Sequence, residues 1–391
     1  MLTVLVFIAI LSLLVLVHEL GHFLVAKKMG IRVDEFGFGL PPRVFGKKIG
    51  ETIYSINLFP FGGFVKLFGE DVITETKISG KDRERLFFLR PASQKALVVT
   101  AGVLMNALLA IVVFYAFLAI SNFKTELPLL FNHQFFFVNQ TNKVEVVITA
   151  ITPGSPADSA GVREFSKVSS VNNRPIKNGK DFVNIIGENK GQEVLIVLED
   201  LKTSQTYEVK LVPRLLPPEN EGPLGVGFET LETAILNYET PGQKIFSGIT
   251  HPANLMVYNL KGLGELIALS FKEKTAEPVS GAVAGPVGIF SLVGQILGIP
   301  SLKERVLQVL NFVGILSVSL AFFNILPIPA LDGGRLFFIG IEATIGRPVK
   351  PKVEAIIHQI GFAALMLLIL LVTYNDLLRI NLLGKIRSLF P

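Results

Sequence analysis

Five consecutive residues, His18-Glu19-Leu20-Gly21-His22, match the pattern H-E-x-x-H. On a helix, positions i and i+4 share one face, so both imidazoles can reach a single ion. The glutamate between them is suited to take a proton from a water polarised by that ion. Three ionisable side chains in five residues of an otherwise apolar stretch carry a solvation cost that a structural role does not justify. A zinc ion there needs a third protein ligand, and catalysis needs a fourth, open position. The chain has no cysteine, so His, Asp and Glu must supply every ligand. The expected third ligand is Asp332, in Asn324-Ile325-Leu326-Pro327-Ile328-Pro329-Ala330-Leu331-Asp332-Gly333-Gly334. Tandem glycines beside it allow the close backbone approach that a buried ligand requires.

The elements that must position these groups are read from hydropathy. Of 391 residues, 50% are hydrophobic and only 18% are charged, which excludes a disordered chain and argues against an ordinary soluble enzyme. The run Leu2–Val17 is uncharged and resumes after the histidines with Phe23-Leu24-Val25-Ala26, long enough to span a bilayer. It lacks a basic leader and a small-residue cleavage site, so it does not read as a signal peptide. Further spans are expected near Ala96–Ile120, Val306–Leu326 and Ala355–Thr373. Thirteen Lys and Arg lie in 27–95 and none precedes the first span. That bias places 27–95 in the cytoplasm, the N-terminus outside, and the large segment between the second and third spans outside as well. Arg379, Lys385 and Arg387 argue mildly the other way for the C-terminal tail. Some 16 residues precede His18, or roughly 24 Å of helix in a core of about 30 Å, which puts the site near the cytoplasmic side. Asp332 reaches that side only if its span runs inward. The uncharged but Gly- and Pro-interrupted stretch 279–302, from Gly281 through Pro300, is therefore expected not to cross.

At this point the chain resembles the site-2 proteases, specifically the bacterial regulator-of-sigma-E protease type that carries a PDZ module. His18-Glu19-x-x-His22 is similar to that family's zinc motif, and Asn324-x-x-Pro327-x-Pro329-x-Leu331-Asp332-Gly333 to its second motif. Gly102-x-x-x-Asn106 and Gly285-Pro286-Val287-Gly288-Ile289 resemble further family features. The resemblance implies one zinc ion on His18, His22 and Asp332, with Glu19 as general base and acid. It implies that Asn324 and Asn106 contact unwound substrate. It implies substrates that are single-span membrane proteins or remnant signal peptides, cut within the bilayer, commonly to release a transcription regulator. It also implies a membrane-reentrant β region in 31–69, where Thr52–Leu58 and Pro60–Lys66 read as the two runs of a hairpin. Strand addition there, at Tyr54, Gly62 and Gly63, would satisfy the backbone of an unwound helix.

The expected fold is thus a four-span helical membrane protein with a β-hairpin or small sheet and an extracytoplasmic α+β PDZ domain. In numbers, 1–26, 96–120, 305–354 and 355–391 contain the spans, the third with the Leu-Asp-Gly-Gly segment. The β region is 27–95, and 121–214 holds the PDZ domain over about 143–213. Residues 215–304 form outer amphipathic helices and the re-entrant stretch. The PDZ resemblance rests on Ile151-Thr152-Pro153-Gly154-Ser155-Pro156-Ala157-Asp158-Ser159-Ala160-Gly161-Val162, with Ser155, Pro156, Ala157 and Gly161 as expected contacts for peptide C-termini. The usual Gly-Asp is replaced by Ser166-Lys167, which weakens the case for tight carboxylate binding. In the family the module acts as a size filter on substrates. In 243–272, Met256, Leu260, Leu263 and Ile267 share a helical face beside Leu255 and are expected in a core. His133, His251 and His358 fall outside any ligand pattern. No nucleic-acid patch stands out; the net charge of +5 suits an anionic bilayer surface. The expected location is the cell's inner or plasma membrane. A non-catalytic PDZ scaffold with a structural metal site is the alternative, against which an intact Glu19 argues. A transporter would show repeat symmetry between its halves, and the sequence has none.

Overall fold

A computed structural model describes residues 1–70, 83–201, 205–275, 283–347 and 349–379. Lys77, Lys81, Gly281, Lys385 and Arg387, used above, lie outside the described residues. The chain divides into two units: residues 1–122 with 244–391, and residues 123–243.

In the first unit, helix α1 spans Leu2–Lys28, about 40 Å at 1.5 Å per residue. Gly30, at φ +73°, stops it, and the Ile31 N–H returns to the Ala26 carbonyl at 3.0 Å. Helix α2 spans Ala92–Ile120. Strands β1 (Val33–Ile49) and β2 (Thr52–Leu67) lie between them, joined at Gly50, which has φ +62°. Their pairing differs from the expected hairpin of 52–58 with 60–66. Residues 43–49 pair with 52–57, while Phe36 faces both Tyr54 and Val65, and Phe38 both Ile56 and Gly63. The two runs of β2 therefore flank the first half of β1 instead of pairing with each other. Alternation alone does not reveal this, because either arrangement satisfies a two-residue period.

Later in the chain come α5 (Pro241–Glu273), α6 (Pro286–Leu297), α7 (Leu302–Ile325), α8 (Asp332–Ile345) and α9 (Pro351–Arg379). Among the described residues, α1, α2, α7 and α9 are long and apolar enough to cross a membrane, four spans as expected. Helix α6, with 12 residues, covers roughly 18 Å and falls short of a crossing. Helix α5 has the expected periodicity but a different phase. Its buried stripe is Ser247, Gly248, His251, Asn254, Leu255, Tyr258 and Gly262, whereas Leu260 and Ile267 are exposed, so the expected core role for that face is corrected. The reason is close approach: Gly248 sits on the Ile111 carbonyl of α2, and His251 packs between Phe114 and Phe117.

The second unit is built on a seven-stranded sheet. Its strands are β3 (Lys124–Leu129), β4 (Asn139–Ile151), β5 (Ser166–Val171), β6 (Arg174–Pro175), β7 (Val194–Asp200), β8 (Gln205–Leu211) and β9 (Val226–Asn237). The order is β3-β9-β4-β5-β7-β8, with β6 beside β5. Helix α3 is the short turn Pro156–Ser159, and α4 spans Gly179–Glu188. Val146, Ile148, Val168, Phe182, Ile186, Ile196 and Leu198 form the core. Strand β9 pairs with β4 along its length and belongs to the same sheet as 143–213.

Candidate metal centre

His18 and His22 lie one helical turn apart on α1, each 8% exposed. Their shared face meets α2 at two glycines: a Cβ on Gly21 would lie 2.4 Å from the Ala101 carbonyl oxygen, and one on Gly102 2.4 Å from His22 Nε2. Only backbone without side chains allows this approach. His22 Nδ1 is 2.8 Å from the Val98 carbonyl oxygen, which can only accept, so Nδ1 carries the proton and Nε2 keeps a lone pair. Asn106, fully buried on α2, brings its amide within 3.3 Å of His18 Nδ1. Its Oδ1 has no hydrogen-bond partner. Turning the amide over would let Oδ1 accept a proton from His18 Nδ1 and free that ring's Nε2 in the same way.

Asp332 opens α8. A Cβ on Gly333 would lie 2.0 Å from the Leu326 carbonyl oxygen, and one on Gly334 2.5 Å from that of Ile328. The two glycines thus fold the preceding loop back on itself and aim the aspartate at α1. Asp332 Oδ2 sits 2.9 Å from His18 Nε2 and 3.3 Å from His22 Nε2. These three ligand atoms lie within 4.8 Å of one another. Oδ2 is buried with no donor directed at it. Two imidazole lone pairs converging on an orphaned carboxylate oxygen suit a cation, and the N, N, O set suits zinc.

Glu19 faces the sheet. Its Oε2 accepts the Val65 N–H at 3.1 Å, and a Cβ on Gly63 would lie 3.8 Å from its Cγ. Ser12, nearly two turns earlier, donates to the Pro60 carbonyl at 3.0 Å, so the edge of β2 runs along the face of α1 that carries Glu19. Gly62 adopts φ +79° in this edge. The structure therefore brings His18, Glu19, His22, Gly63, Asn106 and Asp332 together. Tyr54 instead packs with Phe23 and Phe36, ring centroids 6.0 and 6.3 Å away. Asn324 is half-buried in the last turn of α7. In the other unit, Ser155 and Ala157 are fully buried, with Ser155 Oγ accepting the Asp158 N–H, while Pro156 is half-buried and Gly161 exposed.

Sequence reasoning missed the backbone partners, Val65 N–H and Val98 C=O, since a main-chain group leaves no mark on residue identity. It also missed Arg335, one turn after Asp332, which pairs with Glu70 beyond the end of β2. It missed Asp376 too. This α9 carboxylate is 3% exposed and accepts the Gly288 N–H at 2.7 Å, and a Cβ on Gly285 would lie 2.8 Å from its Oδ2. The Gly285-Pro286-Val287-Gly288 motif is thus a glycine cradle for a carboxylate at the start of α6.

Four membrane-length helices and a His, His, Asp cluster with an adjacent glutamate define a class, a membrane metallohydrolase. The model of peptidase family M50 matches residues 6–368, and the chain belongs to that family, the site-2 proteases. It is similar to the zinc metalloprotease RasP of Geobacillus kaustophilus, 28% identical over 95% of this chain and 96% of that protein. It is likewise similar to the regulator of sigma-W protease RasP of Bacillus subtilis, 28% identical over 97% and 99% of the two chains. The chain is a zinc metalloprotease, which sets the scaffold alternative aside.

Proposed function

We propose that the protein is an intramembrane endopeptidase that holds one zinc ion on His18, His22 and Asp332 and cuts single-span membrane proteins within the bilayer. The observation that carries this reading is the convergence of those three ligand atoms beside Glu19 on a membrane-length helix. Zinc, when bound, supplies Lewis acidity and makes water a nucleophile at neutral pH. Glu19 Oε2 is engaged by Val65, which leaves Oε1 to take the proton from the attacking water and return it to the leaving amide nitrogen. The β2 edge near Gly62 and Gly63 would receive the unwound substrate as an added strand, with Asn324 along its path and Asn106 and Tyr54 supporting the site through His18 and through Phe23 and Phe36. The basic loop 27–95 supports a cytoplasmic location for that loop and for the nearby site, with the N-terminus and the 123–243 unit outside. The regulator of sigma-W protease among its relatives supports an anti-sigma-factor-like regulator as substrate, alongside remnant signal peptides.

The 123–243 unit acts in this reading as a PDZ module that filters substrates by size and takes peptide C-termini. Strand β3 pairs with β9 only over 232–237. Residues 226–231 keep one edge without a partner among the described residues, beside a cleft of about 580 Å³ lined by Gly179, Val183, Phe228 and Thr230. That edge offers strand addition, with Ser155, Pro156, Ala157 and Gly161 shaping the neighbouring turn rather than serving as the main contact surface.

The test is cleavage of a tagged single-span substrate by purified protein and its Glu19→Gln variant, with and without a zinc chelator. Cutting inside the hydrophobic segment by the wild type alone, lost on chelation, is the expected result. Equal cutting by Glu19→Gln, or cutting only outside the hydrophobic segment, would overturn the assignment.

A further inference from the structure

Asp332 follows a loop, Leu326–Leu331, that packs between the start of α8 and helix α9. Within the loop, the Ile328 N–H bonds to the Leu326 carbonyl at 2.6 Å and the Leu331 N–H to that of Ile328 at 3.2 Å. Ala330 takes φ +75°, a left-handed conformation that a residue with a Cβ adopts only when its surroundings impose it. The imposing group is on α9. His358 Nδ1 accepts the Ala330 N–H at 2.8 Å, two residues before the aspartate. One turn on, Gly361 admits the loop: a Cβ there would lie 2.4 Å from Pro329 Cβ. Phe338 of α8 packs against the His358 ring, centroid to centroid 5.7 Å.

Around the close Gly361–Pro329 contact the apolar side chains fit less tightly. Ile357, Ile360, Leu365 and Leu368 leave an apolar cleft of about 430 Å³ against Ile328 and Pro329. The hydrogen bond from Ala330 to His358 is the directed polar contact between this loop and α9. An accepting Nδ1 also fixes the neutral tautomer with its proton on Nε2.

We propose that His358 is a positioning residue for the metal centre: by holding Ala330 in the left-handed conformation it sets the direction from which Asp332 approaches His18 and His22. This rests on Asp332 being a zinc ligand. Groups that orient ligands without touching the ion are worth about 10–100-fold in metal affinity.

The test measures zinc affinity of the full-length protein in detergent, by competition with a chromophoric chelator, for wild type, His358→Phe, His358→Asn and Asp332→Ala. His358→Phe keeps the ring and loses the acceptor, and is expected to bind zinc about 10–100-fold more weakly. His358→Asn restores an acceptor oxygen near the place of Nδ1 and is expected to recover most of the wild-type affinity. Wild-type affinity in His358→Phe would overturn the proposal, as would an Asn variant no tighter than the Phe variant. Undiminished affinity in Asp332→Ala would instead remove the ligand assignment itself, whatever His358 does.

Discussion

Strand β7 turns apolar residues inward, whereas helix α9 turns them outward. In β7, Val194, Ile196 and Leu198 are at most 2% exposed, inside the core of the 123–243 unit. In α9, Ile360, Phe362 and Leu370 are each more than half exposed, while Asp376 is almost wholly buried. The first unit has apolar clusters of its own around Leu14 and Ile31, and it also buries His18, His22, Asn106, Asn254 and Ser317. Ser317 donates to the Asn106 carbonyl at 2.8 Å, tying α7 to α2. The difference is one of solvent. Water drives β7's side chains together, whereas hydrocarbon is indifferent to exposed leucines and leaves close packing and polar pairing to bring helices together. Glycine does much of that work here: Gly21, Gly102, Gly248 and Gly314 all sit where α2 is approached.

The sharpest test of this comparison is Gly102→Ala. One methyl group aimed at His22 Nε2 is expected to lower zinc occupancy and cleavage rate by about 100-fold. Metal analysis of the purified variant beside its turnover rate checks this, and wild-type zinc content would refute the role given to that contact. Next in size, Leu198→Ala in β7 is expected to cost about 2–5 kcal/mol. Leu370→Ala in α9 is expected to stay within about 0.5 kcal/mol. Hydrogen exchange of the full chain in detergent reads both, and equal losses would erase the distinction between the two regions.

The smallest expected effect is electrostatic and confined to the 123–243 unit. Burial raises the Glu145 carboxyl, but Lys143 and Lys167, each 2.8 Å away, outweigh it and hold it below the usual carboxylate range. A carboxyl depressed by folding stabilises fully above its unfolded value of about 4.3 and loses that contribution as pH falls through the lower folded value. The stability of this unit should therefore fall below about pH 4, by no more than about 1 kcal/mol from this group because the pair is partly solvated. Lys167→Met should flatten the acid limb of the denaturation midpoint plotted against pH, and an unchanged slope would count against the pair.

The metal cluster was legible in the sequence because ligand chemistry restricts residue type and helix geometry restricts spacing. His18 and His22 stand out as ionisable side chains within a long apolar run, where such residues are rare, and Asp332 as a carboxylate just after another. The span count was legible for the same reason in reverse, since long uncharged runs have few other uses. The phase of α5 was not, because an apolar stripe at the membrane can face lipid as readily as protein. Nor was the pairing of β2, whose two runs alternate identically whichever partner they take. The Glu19–Val65 and His22–Val98 bonds end on backbone atoms, which any residue carries. Asp376 could have been found by asking why Gly285 and Gly288 recur beside a proline, and what filled the space they leave.

The separation in sequence between His22 and Asp332 also orders events in time. His18 and His22 emerge from the ribosome at the start of synthesis, and Asp332, the third proposed ligand, follows some 310 residues later. At about 5–20 residues per second that interval is roughly 15–60 s. Throughout it, the growing chain shares the membrane with inserting segments of the kind the finished enzyme is proposed to cut. Because the proposed centre needs Asp332 at the start of α8, the three side chains cannot converge until that residue has been made.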